Sequence, residues 1–227
     1  LWPDGTGDAE SDYLGGFHVL IFPPARDSLH VTVRGTGGNR QTGQNRRTGE
    51  NRSVIVYLAH GASGTSASMR PYVEGLSARG VSAQAIDLPV GRAEKAVAVY
   101  QRQVAEVGNS VIGGHSYGGR VASLLAAQQA ELHEQAVRGL VLLSYPLHRP
   151  GHPDEPRTAH WPQIECPVLL LSGESDPFAQ ISLLREAVKQ LARAELVTYP
   201  RVGHGLAPVL DDALDRIARF ALSLEGG

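Results

Sequence analysis

The chain has 227 residues, 42% of them hydrophobic and 19% charged, with 21 basic against 23 acidic side chains. That length suits one large α/β domain and is ample for a core. A net charge of −2 offers no electrostatic case for binding nucleic acid or an anionic membrane. A single cysteine, Cys166, excludes an intramolecular disulfide framework and a cysteine-rich metal site. No apolar stretch approaches the roughly 18–20 residues that a membrane helix needs. The opening residues Leu1-Trp2-Pro3-Asp4-Gly5 lack the basic and apolar regions of a secretory signal, so a soluble, cytoplasmic protein is the expectation.

Two short strands, Gly16 to Phe22 and Leu29 to Arg34, are expected first, joined as an antiparallel hairpin through Pro23-Pro24-Ala25-Arg26-Asp27. Residues 36–53 then repeat a hexamer three times: Thr-Gly-Gly-Asn-Arg-Gln, Thr-Gly-Gln-Asn-Arg-Arg and Thr-Gly-Glu-Asn-Arg-Ser. Solenoid repeats need an apolar face in every unit, and these units have none. The segment reads as a flexible loop without a catalytic role. Beyond it strands and helices alternate. Val54 to Ala59 is a continuous apolar run, as in a strand buried on both faces. Met69 to Arg79 reads as a helix stopping at Gly80, followed by a strand from Val81 to Ile86 and a helix from Ala93 to Val107. Val111-Ile112-Gly113 begins a strand that runs into a helix from Gly118 to about Ala130. Strands Gly139–Ser144 and Pro167–Leu171, a helix from Ile181 to Ala192, strand Glu195–Tyr199 and a helix from Pro208 to Leu224 complete the pattern. The alternation predicts an α/β fold: a mostly parallel, doubly wound sheet in a single domain spanning 1–227.

The chemistry concentrates in Gly114-His115-Ser116-Tyr117-Gly118-Gly119. A G-x-S-x-G match fixes only three positions, but this one sits where a strand gives way to a helix. A serine at the apex of so tight a turn takes strained dihedral angles, and the flanking glycines remove side chains that would collide. Serine is a weak nucleophile unless a base takes its proton, so the motif demands a later carboxylate and then a histidine. Asp176 in Gly173-Glu174-Ser175-Asp176-Pro177 and His204 in Gly203-His204-Gly205 each follow a strand, in that order. In an open parallel sheet those strand ends face the crevice that Ser116 faces. Acyl transfer also needs N–H donors for the tetrahedral oxyanion. Tyr117, at the start of a helix, and Ala62, in His60-Gly61-Ala62-Ser63-Gly64, are the expected pair.

These stretches, together with Ser144-Tyr145-Pro146-Leu147-His148, resemble the α/β-hydrolase superfamily from Val54 to the last helix. The resemblance is strongest to its small cap-less predicted hydrolases, the group that includes testis-expressed protein 30. It implies Ser116 as nucleophile, Asp176 as acid, His204 as base, and Ala62 and Tyr117 as oxyanion donors. It implies no substrate, and some members of the group are thought to act as scaffolds.

Other residues compete for roles. Asp87 ends a strand on the same rim, but the chain order disfavours it as the acid. His115 adjoins the serine and points elsewhere on a sharp turn, so it is expected to support the site without serving as the base. His148, His152 and His160 fall in a proline-rich segment at no recognisable metal-ligand spacing. Cys166 reads as a small buried hydrophobe. Glu174 either orients the acid turn or is solvated. Only some twenty proline-rich residues separate Ser144 from the next strand, too few for a folded lid. An exposed serine is therefore expected, with Tyr117, Tyr145, His148 and Trp161 among the walls of a substrate crevice. The combined expectation is a serine esterase or thioesterase without cofactor or metal, acting on a small acyl substrate, with no nucleic-acid or membrane partner and an oligomeric state that is open. The alternative is a non-catalytic interaction or scaffold protein on the same fold.

Overall fold

The computed structural model describes residues 53–131 and 136–225. The expected N-terminal hairpin and nearly all of the hexamer repeat lie outside the described residues. Within them, six strands form one parallel sheet: β1 (Ile55–Ala59), β2 (Ser82–Ile86), β3 (Ser110–His115), β4 (Gly139–Leu143), β5 (Val168–Gly173) and β6 (Ala194–Tyr199). The order across the sheet is β2-β1-β3-β4-β5-β6. From β1 the chain first moves outward to β2, then returns to the other side of β1 to lay down β3. The strand order therefore reverses between β1 and β3, where open α/β sheets leave a crevice at the carboxyl ends of their strands.

Among the described residues five helices cover the sheet: α1 (Arg70–Ser77), α2 (Ala93–Gln103), α3 (Tyr117–Glu131), α4 (Ile181–Val188) and α5 (Leu210–Ser223). Alternate residues of the central strands supply two apolar layers, as a period of two requires. Tyr57, Ile112, Leu140, Leu142 and Leu170 face α2, α3 and α4 through Val97, Tyr100, Val121, Leu125 and Leu184. Val56, Leu58, Val111, Val141 and Leu171 face α1 and α5 through Tyr72, Leu76, Leu214 and Ile217. The central strands β3, β4 and β5 are buried almost throughout, whereas β2 alternates polar and apolar residues at one side of the six.

Several boundaries differ from the sequence expectation, each for a local reason. The predicted helix over Met69–Arg79 becomes a 3-10 turn, Ser66–Met69, running into α1, which has Pro71 in its first turn. Helix α2 stops at Gln103 instead of Val107, because Val104 turns extended and is buried, while Gln103 turns its amide to the Asp87 and Val99 carbonyls. Helix α3 begins at Tyr117, one residue earlier than expected, directly after the serine.

Between β4 and β5 the chain forms a loop with one 3-10 turn, Trp161–Gln163, and no folded lid. His160 fastens this loop to α3 through its Nε2, 2.8 Å from the Ser123 hydroxyl. Burial, reinforced by the nearby Arg120 cation, pushes the His160 ring down to about 4. An unfolded histidine titrates near 6.5. Below that pH the unfolded chain takes up a proton that the folded chain still refuses, so this contribution is complete above about pH 6.5 and is lost as the pH falls toward 4. The His160→Gln variant should accordingly show a shallower fall of Tm between pH 6.5 and 4 than the parent. An unchanged slope in a thermal-melt series over that range would contradict the assignment.

Candidate active site

The turn after β3 sets the geometry. Ser116 is held at φ +51°, a left-handed conformation costly for any residue but glycine. Its N–H donates to the Leu143 carbonyl at 2.8 Å, so β4 holds the strained residue in place. A Cβ on Gly114 would overlap the Ala59 carbonyl, and one on Gly118 would overlap the Ala59 and His60 carbonyl groups. Both positions must lack a side chain for the turn to nest against the end of β1.

Three side chains from three loops meet above this turn. The His204 Nε2 lies 2.8 Å from the Ser116 hydroxyl, and its Nδ1 lies 2.8 and 3.0 Å from the two Asp176 oxygens. The Asp176 side chain is fully buried, and Oδ1 also accepts the Phe178 N–H at 2.8 Å. An ionised carboxylate is an acceptor only, so His204 donates from Nδ1 and leaves Nε2 to accept the serine hydrogen. The loops carrying the acid and the histidine are joined directly: Ser175 N–H donates to the Val202 carbonyl and Glu174 N–H to the Tyr199 carbonyl, both at 2.9 Å. Gly173 permits this approach, since a Cβ there would overlap the Val202 and Gly203 carbonyl oxygens. Glu174 is tied to Thr198 at 2.8 Å and to Arg185 at 3.1 Å, which anchors the acid turn to β6 and α4.

The loop after β1 borders the serine. A Cβ built on Gly61 would stand 3.7 Å from the Ser116 Cβ. His60 sets the shape of this loop from beneath: its Nδ1 donates to the Gly61 carbonyl at 2.7 Å and its Nε2 accepts the Leu88 N–H at 3.0 Å. Asp87 Oδ1 lies 3.3 Å from the same Nε2, but that nitrogen is occupied as an acceptor and the contact is no ion pair. Asp87 instead accepts the Ser66 N–H at 2.9 Å, so its place is to hold this loop, away from His204. Ala62 is exposed, and its N–H makes no backbone hydrogen bond among the described residues. Tyr117 opens α3, so its N–H has no acceptor within the helix and lies at the positive end of the helix dipole.

Three of the expected substrate walls are corrected, while the fourth, Tyr117, is half-buried with its hydroxyl donating to the Pro89 carbonyl at 3.0 Å. Tyr145 and Trp161 are 1% and 0% exposed and pack against each other as tilted rings with centroids 5.0 Å apart. The Tyr145 hydroxyl donates to the Arg157 carbonyl at 2.6 Å. Burial pushes that phenol up to about 12. His148 is buried too: its Nδ1 donates to the Arg149 carbonyl and its Nε2 accepts the Gln180 N–H, which clamps the chain just beyond Asp176. All three are packing residues of a loop that folds inward over α3 and α4. The aromatic surface at the site is supplied by Phe178, half-buried, with its ring 4.4 Å from that of His204. Its signal was local: an aspartate that accepts the N–H two residues on brings residue i+2 against its own carboxylate.

Cys166 is buried as expected, and burial pushes its thiol up to about 12. Among the described residues no group of three His, Cys, Asp or Glu side chains could hold a metal ion, and no helix is long and apolar enough to cross a membrane.

A family model described as an alpha/beta hydrolase domain matches residues 52–219. Among solved structures, Est1E from Butyrivibrio proteoclasticus is similar at 17% identity and a TM-score of 0.64, over 78% of this chain and 90% of that one. A monoacylglycerol lipase from Paleococcus ferrophilus is similar at 16% identity and 0.60, over 75% and 94%. A predicted CIB-like hydrolase from Thermoplasma acidophilum is similar at 22% identity and 0.54, over 78% and 87%.

If Gly173 is what lets the two loops meet, Gly173→Ala should lower stability by about 1–3 kcal/mol, the usual cost of overpacking. It should also remove the low-field resonance of the His204 Nδ1 proton shared with Asp176. Urea unfolding and a one-dimensional proton spectrum check both, and an unchanged midpoint with the resonance intact would contradict the role.

Proposed function

We propose that this chain, which belongs to the alpha/beta hydrolase family, is a serine hydrolase that cleaves carboxylic esters or thioesters through an acyl-enzyme. The observation that carries the reading is the hydrogen-bonded line Ser116–His204–Asp176, with 2.8 Å at each link. Nothing in packing alone requires a buried carboxylate, an imidazole and a strained serine to share one line. A scaffold on the same fold has no physical use for it.

In this reading the Ser116 oxygen attacks the acyl carbon while its proton passes to His204 Nε2. Asp176 keeps the ring oriented and balances the imidazolium charge without taking the proton. The tetrahedral oxyanion accepts from the N–H groups of Tyr117 and Ala62. Collapse breaks the bond to the leaving alcohol or thiol, which departs with the proton from Nε2. Water then attacks the acyl-enzyme by the same route and regenerates Ser116. The cycle needs no cofactor. Phe178, beside His204, offers the acyl or leaving group an apolar surface, and the loop between β4 and β5 places no lid over it.

The test is labelling by a fluorophosphonate together with hydrolysis of a panel of short p-nitrophenyl esters. The parent should label and turn over at least one ester, while Ser116→Ala should lose labelling and at least about 10³-fold in kcat with its melting curve unchanged. Undiminished labelling of Ser116→Ala would show the nucleophile to be elsewhere. No labelling and no hydrolysis by the parent would favour the scaffold alternative.

A further inference from the structure

The base of the line is held by little of its own backbone. Among the described residues, no backbone–backbone hydrogen bond fastens residues 203–205, although the neighbouring positions 202 and 206 are tied. Among the described residues, the hydrogen bond to the main chain of this stretch comes from a side chain: His115 Nε2 lies 2.9 Å from the His204 carbonyl oxygen. A carbonyl oxygen only accepts, so His115 carries its hydrogen on Nε2. The residue is half-buried, and burial, opposed in part by the bond to the His204 carbonyl, lowers its affinity for a second proton. His204 and Asp176 are the titratable groups that face it. Nδ1 therefore stays bare, and it points at the loop after β1, where a Cβ on Gly61 would stand 3.0 Å from it.

We propose that His115 is a positioning residue for the hydrolase reaction, a strap that fixes the main chain of the general base to the residue preceding the nucleophile. The proposal rests on the serine-hydrolase reading of the same site. His115 is covalently next to Ser116, donates to His204 and packs against Gly61, so one ring sets the spacing between nucleophile, base and oxyanion loop. It touches neither the reacting atoms nor the proton in flight. Its effect is on where His204 stands: the ring centroids of the two histidines are 5.0 Å apart, and Nε2 of the base must remain within hydrogen-bond reach of Ser116. A displacement of the order of 1 Å at such a contact costs about 10²-fold in rate. The donor, and not the ring's aromatic character, is what the site requires.

Three variants and one spectrum test this. His115→Leu removes the donor at similar bulk and should lower kcat on a p-nitrophenyl ester by about ten- to a hundredfold, with KM within about twofold of the parent. His115→Gln, whose amide reaches the same carbonyl, should restore kcat to within about threefold of the parent. His115→Met replaces the leucine variant if that one fails to fold. Nitrogen-15 spectra of the unmodified protein should show His115 as the Nε2–H tautomer at neutral pH. Equal kcat for the parent and the apolar variant, equal impairment of the glutamine and apolar variants, or an Nδ1–H tautomer would each overturn the proposal. A parent without esterase activity and without labelling would overturn the hydrolase reading and the role of His115 with it, whereas an active parent with an unaffected leucine variant sinks His115 alone.

Discussion

One imidazole gripped from both sides is the constraint on which the rest depends. His204 has to offer Nδ1 to a buried carboxylate and Nε2 to a serine hydroxyl at once, at 2.8 Å in each direction. Neither partner is near it in the chain, so the fold must deliver three loops to one point. A parallel sheet does this without special arrangement, because every strand ends on the same edge. The finer adjustment comes from residues that remove bulk: Gly173 lets the β6 loop settle on the end of β5, and Gly114 and Gly118 let the serine turn settle on the end of β1. Strain at Ser116 is sustained because β4 holds its N–H and α3 begins immediately after it.

Around that centre the polar residues sort into supports. His60 and Asp87 shape the loop after β1, Glu174 moors the acid turn to β6 and α4, and His148 clamps the chain beyond Asp176. Each spends its hydrogen-bonding capacity on backbone or on a neighbouring side chain, which is why none competes with His204 for the serine. In the proposed hydrolase reaction, preorganisation of this kind is what makes a hydroxyl useful, because the geometry is settled before any acyl group arrives.

The architecture was legible in the chain because the central strands read as unbroken apolar runs and the helices between them as amphipathic stretches. The meeting of Ser116, Asp176 and His204 at one point was legible for a related reason, as each sits directly after a strand of the parallel sheet. Helix ends were less so: Gln103 and Val104 end α2 through tertiary contacts that no local propensity encodes. Three of the expected substrate walls failed for a physical reason. Tyr145, His148 and Trp161 lie in a proline-rich loop, which suggests exposure, but a loop of that length without a lid must bury its own aromatic groups to be ordered. Phe178, hidden in an ordinary-looking turn, supplies aromatic surface beside the histidine.

The account stands on Ser116 forming a covalent bond to the acyl group. The most direct measurement is mass spectrometry of the protein quenched with acid during turnover of p-nitrophenyl acetate, followed by peptide mapping. The account predicts one acetyl group, carried on the peptide containing Ser116 and absent from a His204→Ala variant treated in the same way. Acetylation confined to other residues, or turnover that proceeds with no acyl-enzyme on that serine, would contradict it.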